Sequence, residues 1–580
     1  MKKIFIPFFC MLAMIFASCE RFLDTENYTQ KNTSNYPKTL ADAKQVVTGI
    51  YNNLSVVNAN PQFSFFMAAQ LAGDDRLGGG GANDQILQAT DLLMNYTPAT
   101  RSRFWSDRYA GIQRANTAIA TLPDCEGFDS DEQKNQMIGE AFFLRAFYYY
   151  ELASMFENIP LFTEPVAANL PQASPDEVWG RICLDLKTAA GLMASRKTSP
   201  SEAGHADKYT AEAMLARAFL FYTGFYRKSE VLLSDGTALT KSEVISAIDD
   251  CVNNSGYSLV SDFRNLWAYT NRLTVNDYNY TKGVAGVNGL PLSYAENDQA
   301  INPESMFAIK YSKLADWETT IGYSNGFALF FGVRGGQAQE NTFPFGQGWG
   351  AGMVSPGLWN EWKASEPNDL RREASICDVR AELDPYGYQT GAAGWADFIQ
   401  ETDYLDKKLS PVSSRKSDGT GYTETFEQEM YSYASVNFQL SNIHDLILIR
   451  FADVLLMQAE LKEDAAPINR VRARAGLPPL SGYSLPALQN ERRWELANEG
   501  VRWNDIRRWH IAEDALEKQT NVKIYISGKA DVNKSWGGGY KARYRATRGF
   551  FPIPEEEIAL SEGVYKQNEG WTGADYSSWK

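Results

Sequence analysis

Apolar positions recur at helical spacing through the first part of the chain. Between Leu40 and Val57, the residues Val46, Val47, Ile50, Tyr51 and Leu54 share one face and predict a helix. Pro61 interrupts, and a second apolar segment runs to Leu71. From Arg101 to Leu122, Phe104, Trp105, Tyr109, Ile112, Ala115 and Ile119 form one stripe, which Pro123 ends. A richer helix follows from Glu132 to Asn158, with Phe143, Leu144, Phe147, Leu152 and Phe156 on its apolar side. Ile159-Pro160-Leu161 terminates it, because proline disfavours helical backbone at the residue before it. Asp176 to Ala194 and Tyr209 to Tyr226 complete this helical part.

Alanines sit beside large aromatics in these helices (Ala141, Ala146, Ala211, Ala213, Ala216, Ala218), and small residues let neighbouring helices approach closely. TPR repeats of about 34 residues pair their helices in this way, although no clean repeat is visible here. From about 255 to 440 the helical period fades and Gly, Asn, Tyr and Trp rise. Ser305 to Tyr311 predicts one short strand. Segments such as Phe343-Pro344-Phe345-Gly346-Gln347-Gly348-Trp349-Gly350 place aromatics in glycine-rich loops, which ordinarily run over a protein surface. Helices return at Phe451 to Glu463 and at Pro467 to Ala475, with Gly476 placed as a left-handed cap. Ser484 can cap a helix running to Asn498, and Arg502 to Leu516 continues beyond it. The tail from Gly549 to Ile558 reads as an extended, proline-pinned segment packed on the body.

The first residues carry a different signal. Lys2 and Lys3 precede an apolar run from Ile4 to Phe16, then Ala17-Ser18-Cys19. A basic start, a short apolar stretch and small residues before a cysteine match a bacterial lipoprotein signal, with lipidation expected at Cys19. The run is shorter than the roughly 20 residues that span a bilayer. Removal of residues 1–18 leaves 562 residues, with 54 basic against 71 acidic side chains and a net charge of −17. That balance argues against nucleic-acid binding and against charge-driven docking on anionic lipid. Aromatics make up 13% of the chain, which suits a ligand with one apolar face.

Cys125, Cys183, Cys251 and Cys377 are widely spaced and form no CxxC pair, so buried thiols are expected, with room for one bridge. The three histidines, His205, His444 and His510, lack partners four residues on, which disfavours a His-rich metal site. No cofactor is indicated. The loop from Gly73 to Asp84 contains four successive glycines and cannot be a helix. No Gly-Lys-Ser/Thr follows it, so it is not a phosphate loop. Its Asp74, Asp75 and Asn83 offer oxygens to hydroxyl groups or to calcium, or else belong to a solvated turn. Asp453, Glu460, Glu491, Glu495, Glu499 and Asp505 alternate with Arg450, Arg472, Arg492, Arg502 and Arg507. Acids matched to arginines at helical spacing predict structural ion pairs rather than catalytic carboxylates.

These blocks resemble the SusD/RagB family of outer-membrane glycan-binding lipoproteins. The resemblance is carried by Ser18-Cys19-Glu20-Arg21-Phe22-Leu23-Asp24, by Trp105, Tyr109, Ile112 and Ala115-Asn116, and by Gly139-Glu140-Ala141 running to Leu144-Arg145-Ala146. Tyr209 to Ala218 matches a further helix of the family. The most specific blocks are Arg450 to Glu460, Ile468 to Leu477, Glu491 to Leu496, Glu499 to Trp509 and Phe551-Pro552-Ile553-Pro554. Gln567-Asn568-Glu569-Gly570-Trp571 departs from the family's closing motif at Glu569 and Trp571.

The resemblance implies a mainly α fold, with a TPR-like helix-pair scaffold and an irregular, loop-rich ligand-binding region inserted in the middle. Its expected layout is a signal at 1–18, a tether at 19–36, a helical region at 37–250, a ligand region at 251–440 and a C-terminal helical region with tail at 441–580. It implies capture of a starch-like, plant or host oligosaccharide without catalysis, and delivery to a SusC-like TonB-dependent transporter docked on the helical face. The expected place is the outer membrane, held by the lipid at Cys19 and facing outward. Carried onto this chain, the ligand contacts are Asp74, Asp75 and Asn83 from the loop, with an arc of Trp317, Tyr323, Phe331, Phe345 and Trp349. Arg334 and Gln347 are the polar partners, and Trp267, Tyr269, Tyr278, Tyr280, Trp359 and Trp362 are reserves. A RagB-type peptide-capture protein is the alternative. A surface glycoside hydrolase drawing on Glu296, Asp298, Asp316, Glu318 or Glu340 is a more distant one.

Overall fold

The computed structural model describes residues 36–81, 84–94, 98–166, 168–195, 202–312, 323–391, 399–432, 437–535 and 538–571. The N-terminal signal, Cys19, Asn83, Asp316, Trp317 and Glu318 lie outside these residues. Six long helices build the first half: α1 (Leu40–Asn58), α2 (Pro98–Thr121), α3 (Asp131–Phe156), α4 (Pro175–Leu192), α5 (Lys208–Tyr226) and α6 (Lys241–Asn254). Local chemistry sets their starts. Thr39 with Asp42, Ser174 with Glu177 and Thr240 with Glu243 each form a reciprocal capping box. The last of these opens α6, which the apolar pattern alone did not reveal but which the Thr-x-x-Glu spacing signals.

Successive helices pack on one another, α1 on α2, α2 on α3, and so on to α5 on α6. Ala141, Ala146, Ala211, Ala213, Ala216 and Ala218 are all fully buried, so the close helix approach read from the sequence is present. Four C-terminal helices, α7 (Phe451–Lys462), α8 (Ala465–Arg474), α9 (Leu485–Glu495) and α10 (Arg502–Arg508), join this scaffold, with α7 against α6 and α10 against α5. Gly476 has φ +72°, as its capping position requires, and Leu477 N–H donates to the Arg472 carbonyl at 3.0 Å. The helix expected from Arg502 to Leu516 breaks into α10 and a short turn at Ala512–Glu517, with His510 at φ +57° between them. The tail packs inward through Ile553 as expected, but the extended stretch ends there, because Glu555–Leu560 is a short helix with no buried residue. Phe550, Phe551 and Ile553 are buried, and Phe551 N–H donates to the Met155 carbonyl at 2.8 Å.

The middle region has its own apolar core, built from Phe263, Tyr269, Tyr278, Phe345, Leu383 and Phe426 among others. Its aromatics therefore fold inward instead of decorating surface loops. Trp362 stacks on Trp494 of α9 at 5.1 Å between ring centroids. A strand at Ser305–Ile309 pairs antiparallel with one at Leu446–Arg450, aligning Leu446 with Ile309. A four-stranded sheet joins Gly80–Gly81, Ile399–Glu401, Lys523–Ile526 and Lys529–Val532 in that order, linking the glycine loop to the middle and C-terminal regions.

Ion pairs bolt these parts together, as the alternating charges predicted. Arg371 contacts Asp369, Glu491 and Glu495, while Arg450 contacts Glu304, Glu495 and Glu499. Arg492 bridges Asp453 and Asp505 at 2.7 and 2.9 Å. Cys125, Cys183, Cys251 and Cys377 are buried free thiols.

Candidate functional site

The loop from Gly73 to Gly81 is buried rather than solvated, because its acids face arginines. Both Asp74 oxygens accept from Arg502, at 2.7 and 2.8 Å, and Arg493 lies 3.2 Å away. Burial alone would raise the Asp74 pKa, but Arg502 and Arg493 outweigh it and hold the carboxyl below its usual range. Asp75 accepts from Arg493 at 2.8 Å, and there burial wins and pushes the carboxyl up. The expectation that these two acids meet ligand is therefore corrected: they anchor the loop to α9 and α10. Arg76 completes the anchor, donating to Asp406, Gln70 and the Gly352 carbonyl, with its guanidinium 4.1 Å above the Phe331 ring.

Past the anchor, glycine lets the backbone turn and touch a second segment. Gly79 and Gly80 have φ of +66° and +75°. Gly80 N–H donates to the Gly350 carbonyl at 2.7 Å, and Gly352 N–H donates to the Gly78 carbonyl at 2.8 Å. A Cβ on Gly79 would sit 2.8 Å from the Gly350 carbonyl, so the contact needs a bare backbone. The second segment is itself pinned by a short parallel pair, Val333 with Gln347 and Arg334 with Gly348.

A rim forms where these segments meet. Arg334 Nη1 donates to the Trp349 carbonyl at 2.7 Å and lies 3.4 Å from Asp84 Oδ2. The same Asp84 oxygen accepts from Gly81 N–H at 2.6 Å. The half-buried Trp349 ring leans on Phe330 with centroids 4.7 Å apart. Gln347, also half-buried, donates to the Gln337 carbonyl at 3.2 Å. Trp349 is thus a propped, half-buried indole on a segment that also carries Gln347 and contacts the buried Arg334, which reaches Asp84.

Arg334, Gln347 and Trp349 come together as the sequence grouped them, although Arg334 is itself buried, and Asp84, the residue after Asn83, joins them. Phe331, Phe345 and Tyr323 are placed differently from the expected arc. Phe331 and Phe345 are buried, the first under Arg76 and the second in the middle core. Tyr323 is half-buried and turns to the helical scaffold, its hydroxyl donating to Asn52 Oδ1 of α1 at 2.8 Å. Trp267, Tyr269, Tyr278, Trp359 and Trp362 are buried, and Tyr280 packs on the middle core beneath Lys407. Asn83 and Trp317 lie outside the described residues.

Of the acids reserved for hydrolysis, Asp316 and Glu318 lie outside the described residues, and Asp298 and Glu296 have partners away from this rim. Asp298 is exposed and held by Arg272 in a bidentate pair at 2.8 to 3.1 Å. Glu296 lies in a separate cavity, where burial and then Asp445 push its carboxyl up to about 7. Among the described residues no group of three or more His, Cys, Asp or Glu side chains is arranged to hold a metal ion. No described helix is long and apolar enough to cross a membrane.

Comparison with known proteins follows the same architecture. A SusD family model matches residues 269–571, and a model described as "Starch-binding associating with outer membrane" matches residues 21–220. SusD-like protein P38 of Formosa agariphila is 24% identical over 545 residues, covering 89% of this chain and 93% of that protein. A SusD-like protein of Bacteroides ovatus is 22% identical over 470 residues, covering 75% of this chain and 71% of that one. Among solved structures, a laminarin-binding SusD-like protein superimposes with a TM-score of 0.67 at 24% identity, covering 92% of this chain and all of its own. Surface glycan-binding protein A of Bacteroides thetaiotaomicron, in complex with laminarihexaose, also gives 0.67 at 18% identity, covering 92% of this chain and 100% of its own.

Proposed function

Because the chain belongs to the SusD family, we propose that it captures an oligosaccharide on the rim around Trp349 and performs no chemistry on it. The observation that carries this reading is the propped, half-buried Trp349 beside Arg334, Asp84 and Gln347. A pyranose has a face rich in C–H bonds that stacks on an indole, and a rim of hydroxyls that suits carboxylate, amide and guanidinium partners. Trp349 is braced by Phe330, so little rotamer freedom is lost when a sugar stacks on it. The names of its relatives point to glycans, and laminarin-type chains are the first to try.

In this reading the protein sits at the outer membrane, anchored by lipid at Cys19 and facing outward. It passes its glycan to a SusC-like TonB-dependent transporter docked on the helical scaffold. The arginine-paired acids of α7, α9 and α10 are structural, which leaves them unsuited to general acid catalysis.

Calorimetric titration of the purified full-length protein against laminarin-type, starch-type and host oligosaccharides tests the proposal. One glycan is expected to saturate the protein, and Trp349→Ala to weaken it by about tenfold or more, the loss of one stacking contact. A thermal melt of the variant verifies that it is folded. Absence of heat with every glycan, or binding that ignores Trp349→Ala, overturns the rim assignment.

A further inference from the structure

A concave site that none of the rim residues lines lies where the middle region meets the helical scaffold. Its volume is about 380 Å³. Tyr294, Glu296, Asn302, Phe426, Glu427 and His444 line it and are all buried, while Ile301 and Lys310 at its edge are exposed. The sequence places these residues far apart. The pairing of Ser305–Ile309 with Leu446–Arg450 brings the segments just before and after those strands together.

The lining is dominated by acceptors. Glu296 takes the Tyr294 hydroxyl at 2.7 Å and Asn302 Nδ2 at 3.5 Å. Asp445 takes Lys310, the one lysine or arginine that lines the cavity among the described residues. Glu427 Oε1 lies 3.3 Å from His444 Nδ1 and accepts from Ile443 N–H at 3.3 Å. The other ring nitrogen of His444 is Nε2. That nitrogen and Glu427 Oε2 are buried without a hydrogen-bond partner among the described residues, although His444 is 7% exposed and Glu427 1%. Buried polar atoms left unpaired cost stability, which a donor-rich ligand would recover.

Glu296, Glu427 and Asp445 thus share the cavity with one lysine, Lys310, and with the imidazoles of His205 and His444. Hydroxyl groups could satisfy the acceptors, but only a cation would also favour ionisation of Glu296 and Asp445. We propose that this cavity binds the protonated amine of an amino sugar, with Glu296 and Asp445 as charge partners and Tyr294 and Phe426 against the ring. The choice of a sugar rests on the glycan-capture reading above, whereas the charge preference rests on the cavity alone. Burial and the neighbouring Asp445 hold the Glu296 carboxyl up, at about 7, and burial also pushes Asp445 up, so a bound cation would relieve both.

The test is calorimetric titration of the full-length protein with a glucosamine tetramer and with its fully N-acetylated counterpart, at a pH where the amines are protonated. The free-amine form is expected to bind about tenfold or more tightly, the scale of one buried charge pair. Glu296→Gln and Asp445→Asn, both close in shape to the native residues, are each expected to erase that margin. Equal binding of the two tetramers overturns the proposal, as does an amine margin that survives both substitutions. If Trp349→Ala removes the margin, the amine is read at the rim and the cavity assignment falls. If trilysine binds as tightly as the glucosamine tetramer, the site reads an amine without a sugar, and the amino-sugar assignment falls. Neutral glycans are titrated in the same preparations, so failure of the rim reading and failure of this one are separate results.

Discussion

Glu495 on α9 is the hub of the ion-pair network and gives its most direct test. It is fully buried and accepts from Arg371 at 2.8 Å and from Arg450 at 2.6 Å, and Arg474 is its third partner. Glu495→Gln keeps the volume and one carbonyl acceptor but removes the charge facing three guanidiniums. At an effective dielectric near 20, each close pair is worth about 4 kcal/mol before dehydration is counted. Dehydration of the carboxylate cancels much of that, and removing one partner of a buried pair costs about 3–5 kcal/mol net.

The pH dependence has a definite sign. Burial would raise the Glu495 pKa, but Arg474, Arg450 and Arg371 hold it far below its usual value. Its contribution is thus present above the unfolded value of about 4.3 and is lost as pH falls through the folded one. Urea unfolding followed by tryptophan fluorescence reads this, since Trp494 is the neighbouring residue and stacks on Trp362. Glu495→Gln should lose about 3–5 kcal/mol at neutral pH, with the gap narrowing in strong acid. Arg272→Ala, which breaks the exposed pair with Asp298, should lose no more than about 1 kcal/mol. A Glu495→Gln loss as small as this control would refute the reasoning that the network is a charge-balanced clamp.

Two further outcomes follow from buried groups near the rim. Asp91 accepts from Gly78 N–H at 3.1 Å and from the Tyr540 hydroxyl at 3.0 Å, and burial pushes its carboxyl up to about 7. An acid raised on folding favours the folded state below its unfolded pKa of about 3.9 and loses that advantage as pH rises through the folded value. Wild type should therefore lose up to about 4 kcal/mol relative to Asp91→Asn between pH of about 4 and about 7, and a difference that stays flat in urea titrations across that range would contradict it. On Gly348, an added Cβ would meet the Leu329 carbonyl at 2.3 Å and Gly332 Cα at 2.5 Å. Gly348→Ala should cost about 1–3 kcal/mol and weaken glycan binding together with it, whereas Gly191→Ala, with open space on a helix surface, should be neutral or slightly stabilising in the same melts.

Much of the fold was legible because helices are local. The stripes of α2, α3 and α5 and the cap at Gly476 need only residues three to four apart, and they appear where the pattern put them. Even α6 is written in its Thr240–Glu243 capping box. The alternation of acids and arginines in α7 to α10 also announced ion pairs, because so many buried charges fold only if matched. The grouping proposed as the rim was legible in part. Trp349, Gln347 and Arg334 stand close in sequence and remain close in space, held by the short pairing of Val333–Arg334 with Gln347–Gly348.

What the sequence could not decide is which aromatic is core and which is surface. Phe331 and Trp349 sit in similar glycine-rich surroundings, yet Arg76, from more than two hundred residues earlier, covers Phe331. Asp74 and Asp75 look like free loop acids until the fold brings Arg493 and Arg502 against them. The cavity holding Glu296, His444 and Asp445 likewise exists only once two distant strands pair. Helical period, caps and charge balance are properties of neighbours along the chain, so the sequence determined them by itself. Burial, ion-pair partners and the shape of a cavity depend on residues far apart in the chain, and only the tertiary structure decided those.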